Sequence, residues 1–159
     1  MITDQRAEYL VQTYSDDILR LSYTYLNNIH DAQDICQDVL LKLLTLQRDF
    51  PGVREEKAYI LKMTANACWD VLRSPWKKRV CGLEACAEAA APEAPDSSVL
   101  DAVNSLPPRY RAVIHLFYYC GYRADEIGNI LDIPTATVHT RLARGRAKLK
   151  DLLGGFDHE

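Results

Sequence analysis

The chain has 159 residues, 48% hydrophobic and 26% charged, with 19 Lys and Arg against 22 Asp and Glu for a formal net charge of -3. This fits one globular domain or two small ones, and no run approaches the ~20 apolar residues that cross a bilayer. Met1-Ile2-Thr3-Asp4-Gln5-Arg6 does not open a signal peptide, so a cytoplasmic location without membrane insertion is expected. The cysteines, Cys36, Cys68, Cys81, Cys86 and Cys120, are odd in number and contain no C-x-x-C pair.

Taken in chain order, Tyr9, Leu10, Tyr14, Ile18, Leu21, Tyr25 and Leu26 recur at helical spacing and stop at Asn27-Asn28. A second helix carries Ala32, Ile35, Cys36, Val39, Leu40, Leu43 and Leu44, with Asp31 expected as its N-cap and Pro51-Gly52 as the breaker beyond it. A third, from about Glu56 to Leu72, turns Tyr59, Ile60, Met63, Ala67 and Val71 inward, with Trp69 expected in the core and Trp76 at its rim, and ends before Ser74-Pro75. Cys36, Cys68 and Cys120 fall in apolar helical patterns and read as small core residues.

From about Val80 to Asp96 the composition shifts to Ala, Glu and Pro, with Pro92 and Pro95 opposing an Ala-rich helix, and this stretch reads as an extended acidic linker. Beyond it, Ser97 or Ser98 can cap a helix through Val103, and Leu106-Pro107-Pro108 opens another with Val113, Ile114, Phe117 and Tyr118 on one side, ended by Gly121. The predicted fold class is all-α: two small helical domains, 1–79 and 97–159, joined by a flexible linker over 80–96.

The last third is the most informative. Ile127, Ile130 and Leu131 share a face of one short helix, and Val138, Leu142, Leu149 and Leu152 share a face of a second, with a turn at Asp132 between them. Gly128 and Ala136 are small residues where the two helices would approach closely. The far face of the second helix carries His139, Thr140, Arg144 and Arg146, and Arg141, Arg144, Arg146, Lys148 and Lys150 form a cationic run without an acid. A helix, a tight turn and a basic helix make a helix-turn-helix, which offers its second helix to the DNA major groove. A second acid-free patch, Arg73, Lys77, Lys78 and Arg79, lies near the end of the first domain. Local basic patches in an acidic chain suit a DNA reader that binds weakly alone and is delivered by a partner.

Three stretches together resemble bacterial RNA polymerase sigma factors of the extracytoplasmic-function type, the form with only two conserved domains: Asp31 through Leu43, Ala58 through Arg73, and Leu106-Pro107-Pro108-Arg109-Tyr110-Arg111 through Leu149. The first is similar to the family's core-binding helix, and the resemblance implies that Asp34, Gln37, Asp38, Leu41 and Lys42 dock on core RNA polymerase. The second is similar to the promoter-melting helix. With the loop at about Phe50 to Lys57 it implies a -10 element site of Arg54, Asn66, Arg73, Trp76, Lys77, Lys78 and Arg79, with a flipped base held near the loop. Asp70 and Arg73 can also brace their helix as an i, i+3 pair.

The third stretch implies reading of the -35 element of promoter DNA. His139, Thr140, Ala143 and Arg144 are carried toward bases and Arg141, Arg146 and Lys148 toward phosphates, with Thr135 and Thr137 at the helix start. Three positions depart from the family pattern. Arg123 replaces a Ser or Thr cap three residues before Glu126, Asp132 replaces a turn glycine, and His139 replaces a Lys or Arg. The family also implies an anti-sigma partner. Acidic Glu84, Glu88, Glu93 and Asp96 fit either a segment threading toward the polymerase's RNA exit or a passive tether.

His30, His115, His139 and His158 are dispersed without ligand spacing and no nucleophile-base pair is present. No enzyme activity, metal or cofactor is expected. Two other readings remain open: a self-sufficient, dimeric helix-turn-helix regulator with an N-terminal helical sensing domain, and a thiol-responsive protein using Cys81 and Cys86.

Overall fold

The computed structural model describes residues 4–46, 48–74 and 97–153, with side chains from 101 onward in the last stretch. The expected linker with its four acids, Trp76, Lys77, Lys78, Arg79, Cys81 and Cys86 lie outside the described residues. Every element is a helix: α1 Asp4–Leu26, α2 Ile29–Thr45, α3 Val53–Arg73, α4 Ser97–Asn104, α5 Pro108–Ile114, a π-turn His115–Tyr119, α6 Ala124–Leu131 and α7 Thr135–Leu153.

The first three helices form one core. Leu10, Tyr14, Ile18, Leu21 and Tyr25 make a buried stripe on α1 that meets Ala32, Ile35, Val39 and Leu43 of α2 and Ile60, Leu61, Ala65 and Cys68 of α3. Burying a large apolar side chain is worth about 1.5–3 kcal/mol, and this stripe decides which face of each helix turns inward. Glu56 is 5% exposed within this apolar surround. Its carboxylate accepts from the Tyr14 hydroxyl at 2.7 Å and pairs with Arg6. Burial, and then the Glu56 bond, push the Tyr14 phenol well above its ordinary range.

Asn27 closes α1 in the left-handed region at φ 56°. The N-cap of α2 is Asn28, whose Oδ1 accepts from the Asp31 N–H at 3.0 Å. Asp31, expected as the cap, instead sits three residues inside, where it supplies the donor. α3 starts at Val53, three residues before the expected Glu56, behind a Gly52 cap that makes no side-chain bond. Trp69 is not in the core: it is 40% exposed and meets the Tyr25 ring edge-on at 6.5 Å. The buried stripe of α3 runs through Thr64, Ala65 and Cys68, and Trp69 falls beside it.

In the second domain Pro108 opens α5 at its first turn, where a missing N–H costs nothing. The chain then widens into the π-turn, with Cys120 N–H donating to the His115 carbonyl five residues back at 3.0 Å. The added residue shifts the helical phase beyond it. Leu116 is buried while Tyr118 and Tyr119, 57% and 59% exposed, point outward, so Tyr118 does not share the side of buried Val113 and Ile114 as expected. Gly121, at φ 79°, makes the exit.

α6 and α7 form the helix-turn-helix. Ile127, Ile130, Val138 and Leu142 are buried, Leu149 is half-buried, and Leu152, expected inward, is 55% exposed because the packed length of α7 ends near Leu149. Glu126 accepts from the Arg123 N–H at 2.9 Å, which keeps one half of a capping box. Arginine has no acceptor for the other half, and its guanidinium turns to Asp125 at 3.2 Å. Asp132 holds the turn at φ 60°, ψ 47°. Asp132→Gly is therefore expected to change stability by under ~1 kcal/mol in thermal unfolding, whereas Asp132→Val should cost about 1–2 kcal/mol.

The two domains lie against each other, α1 on α5 and α3 on α6. Arg111, 6% exposed, reaches from α5 to the carbonyls of Thr24 at 2.6 Å and Tyr25 at 2.7 Å.

Candidate nucleic-acid and polymerase interface

Burial of Ala32, Ile35, Val39 and Leu43 against α1 leaves the opposite face of α2 to solvent. Asp34, Gln37, Asp38, Leu41 and Lys42 all lie there, spaced by three or four residues and exposed. Leu41 is 57% exposed among them. An apolar side chain ringed by two acids, an amide and a lysine makes a surface of mixed chemistry, and in the described residues these side chains make no hydrogen bond or ion pair with the rest of the chain.

The promoter-side candidates of the first domain separate. Arg73 braces α3 through Asp70 at 2.7 Å, as expected of the pair. Asn66 is exposed on the α3 face that looks toward the second domain. Arg54, expected beside a flipped base, instead forms an ion pair with Glu126 in the first turn of α6, and its guanidinium lies 5.6 Å from the centre of the Tyr122 ring. A cation at the start of α3 meets a carboxylate at the start of α6 because those two helices pack together.

On α7 the burial of Val138, Leu142 and Gly145 sets the phase. Thr140, Ala143 and Arg144 then project from the far side, with His139 and Lys148 on its flanks, all exposed. Thr135 is exposed at the helix start and Thr137 is half-buried. The Thr140 hydroxyl donates to the Ala136 carbonyl at 3.1 Å, which leaves its oxygen lone pairs toward solvent. Arg146, expected on the DNA face, donates instead to the Tyr118 hydroxyl at 3.0 Å, drawn sideways by the tyrosine that the π-turn pushes out.

Arg141 takes the other flank. It lines a cavity of about 120 Å³ together with Arg109, Leu131 and Ile133 of its own domain and Tyr25, Ala65, Asn66 and Trp69 of the first. Tyr25, Trp69 and Arg109 were absent from the expected set. Arg109 follows Pro107-Pro108 among helix-forming residues, and no local signal marks it. Gly128 is where the helices come closest: a Cβ there would stand 2.8 Å from the Ile133 carbonyl oxygen. At Gly145 a Cβ would stand 2.8 Å from Ile114 Cδ1, the end of a side chain that can turn aside, so the α5–α7 crossing is close but less constrained than the Gly128 site.

His115 sits where the domains meet, its ring stacked on Tyr119 at 5.0 Å. Burial, and then the charges of Arg20 on α1 and Lys57 on α3, push its pKa down to about 4. An unfolded chain protonates this imidazole near pH 6.5, so stability is full above that value, declines as pH falls toward 4, and levels off below. The loss over the window should reach ~3 kcal/mol. Urea unfolding at several pH values checks this, and His115→Gln should flatten that part of the profile. The thiol of Cys68 is pushed up to about 12 by burial, and burial also raises Cys36 and Cys120, so these three suit packing, not redox exchange.

Residues 10–78 match the family model described as Sigma-70 region 2, and residues 97–149 match Sigma-70, region 4. SigW of Bacillus subtilis, an ECF RNA polymerase sigma factor, is 30% identical over 165 residues, spanning 91% of this chain and 87% of SigW. SigE of Mycolicibacterium smegmatis, another, is 29% identical over 162 residues; the match takes in 94% of this chain but 62% of SigE. The fold is similar to that of the sigma factor RpoE from Bartonella quintana, crystallised with the anti-sigma factor NepR, at a TM-score of 0.73 and 20% identity over 98% of this chain and 100% of RpoE.

Proposed function

Because the chain belongs to the family of ECF RNA polymerase sigma factors, we propose that it binds core RNA polymerase through α2, reads the -35 element with α7 and the -10 element with α3, and promotes strand opening. The observation that carries this reading is the pairing of an exposed, unengaged docking face on α2 with an exposed basic reading face on α7. Polymerase supplies the catalysis, and this chain supplies selection of the start site. The division into 1–79, a linker over 80–96 and 97–159 is supported by the matched ranges 10–78 and 97–149.

Asp34, Gln37, Asp38, Leu41 and Lys42 form the polymerase contact. Asn66, Arg73 and Arg54 belong to the -10 site, joined by Trp76, Lys77, Lys78 and Arg79. Thr135, Thr137, His139, Thr140, Ala143 and Arg144 face the -35 bases, with Arg141, Arg146 and Lys148 toward phosphates. Use of Arg54, Arg141 and Arg146 on DNA requires release from their present neighbours. An anti-sigma protein is the expected inhibitor, by likeness to RpoE with NepR.

Run-off transcription tests the reading: sigma-free core polymerase, this protein and fragmented genomic DNA should give discrete starts that vanish when the protein is omitted. A complex with core but no starts would remove the promoter-opening role, and no complex at all would favour the self-sufficient regulator. Within that assay Arg144→Ala should cost ~1–3 kcal/mol of -35 affinity and relax preference at one base, while Lys148→Ala should weaken all sequences alike and lower the salt dependence.

A further inference from the structure

A buried carboxylate is costly unless it is paired and hydrogen-bonded, and Glu56 is 5% exposed at a place where an apolar residue would continue the inward face of α3 one turn before Ile60. Three side chains of α1 meet it. Oε1 accepts from the Tyr14 hydroxyl at 2.7 Å and from the Tyr9 hydroxyl at 3.4 Å, and Oε2 pairs with Arg6. These partners also brace one another: the Tyr9 and Tyr14 rings meet edge-on at 6.1 Å, and the Arg6 guanidinium lies 5.2 Å from the centre of the Tyr9 ring. Replacing a buried ion pair by apolar side chains is often neutral or stabilising, so cohesion alone does not call for this one. What a set of directed bonds adds is position.

The element so placed is the start of α3. Its cap, Gly52, makes no side-chain bond, so no capping group fixes where the first turn lies. The Glu56 N–H donates to the Gly52 carbonyl at 3.1 Å, which joins the anchored residue to the loop ahead of it. Farther back in that loop the Phe50 ring packs on Tyr59 of α3 at 5.2 Å, and the Arg48 guanidinium lies 4.8 Å from the centre of the Tyr59 ring and 5.4 Å from that of Phe50. The loop is thus fastened to α3. This end of α3 is tied to α1 by Glu56 and, one residue on, by Lys57 to Asp17 at 3.8 Å. Between the fastenings at Phe50 and Glu56, Pro51, Val53, Arg54 and Glu55 are exposed, Val53 by 64%.

We propose that Glu56 is a positioning residue of the -10 site: its bonds to Arg6, Tyr9 and Tyr14 set the placement of residues 50–55, and through them the discrimination between bases at the flipped position. This rests on the assignment of -10 reading to α3 and the loop ahead of it. Recognition groups discriminate when packed and hydrogen-bonded neighbours hold them to within about half an ångström. A displaced loop keeps its general attraction for phosphates but loses the geometry that separates one base from another.

Two full-length variants, each assembled with core polymerase, test this. The combined change Arg6→Met, Tyr14→Phe and Glu56→Leu removes the polar network as a unit; the Tyr9 hydroxyl, on a side chain 37% exposed, turns to water. Its thermal midpoint should equal or exceed that of wild type. Run-off from promoters altered one base at a time should show the ratio between best and worst base at the flipped -10 position falling on the order of tenfold, with the ratios at -35 unchanged. Glu56→Gln, which keeps an acceptor for Tyr14 but not the charge facing Arg6, should fall between. A purely structural role would lower transcription from all promoters alike and leave the ratio where it was, and a folded triple variant with that outcome overturns the assignment. If the triple variant loses helicity by circular dichroism, Glu56→Gln decides, and an unchanged ratio overturns the assignment. No starts from the wild type would sink the sigma reading and this assignment with it, whereas wild-type starts whose base ratios match those of the variants would sink the assignment only.

Discussion

Leu41→Glu, or the triple change Asp34→Ala, Gln37→Ala and Asp38→Ala, should abolish complex formation with core polymerase while leaving helicity and thermal midpoint nearly unchanged. The two halves of this result have separate causes. These side chains stand outside the core of the first domain, on the face of α2 opposite Val39 and Leu43, and surface changes of this kind usually stay within ±0.5 kcal/mol of wild-type stability. At a protein interface, an apolar anchor replaced by a charge loses its burial and leaves that charge to be desolvated. Central interface residues of this sort carry 2 kcal/mol or more, about 30-fold in affinity. Size-exclusion chromatography with core polymerase, beside circular dichroism of the free protein, measures both halves. Retained binding and transcription would show that α2 is not the polymerase contact.

Gly128→Val should unfold or displace the helix-turn-helix and remove -35 binding, with a stability loss of about 3 kcal/mol. A Cβ at this position would stand 2.8 Å from the Ile133 carbonyl oxygen, a backbone atom of the turn itself. That turn is held by the Ile133 N–H donating to the Gly128 carbonyl at 2.9 Å and by Asp132 in the left-handed region. A flexible side chain could swing aside, but here the backbone must move, and α7 moves with it. Overpacking of a tight site costs about 1–3 kcal/mol, and a β-branched side chain restricts relaxation further. Gly128→Ala is the graded control: it gains up to ~1 kcal/mol of helix propensity, which offsets part of the same clash. Thermal unfolding and -35 duplex binding of both variants should therefore fall in the order wild type, Ala, Val.

The helices and their inward faces were legible because 3.6-residue periodicity is local: Leu10, Tyr14, Ile18 and Leu21 need no partner to declare a stripe. So was the turn, where Asp132 and Gly121 meet positive φ values. The misplacements share another cause. Asp31 and Asn28 both suit an N-cap, and which of them takes that role depended on where α1 let the chain go. Tyr118 left the side it was expected to share with Val113 and Ile114 because a π-turn breaks the period on which that placement relied. Leu152 lies past the end of the partner surface, a length that belongs to other helices.

The candidate site divides along the same line. Asp34, Gln37, Asp38 and Leu41, and Thr140, Ala143 and Arg144, were readable because the solvent face of an amphipathic helix is the complement of its buried stripe. Arg54, Arg141 and Arg146 kept their elements but not their surroundings, being engaged by Glu126, by the cavity with Asn66 and Trp69, and by Tyr118. The sequence by itself determined the all-helical class, the helix-turn-helix and the sigma-family membership, since these rest on spacing and residue type along a continuous stretch. Only the tertiary structure decided that Trp69 and Arg141 line one interdomain cavity and that Arg111 caps a helix 86 residues away through Tyr25. Contacts between segments so distant in the chain depend on how whole domains pack, and no local period records that.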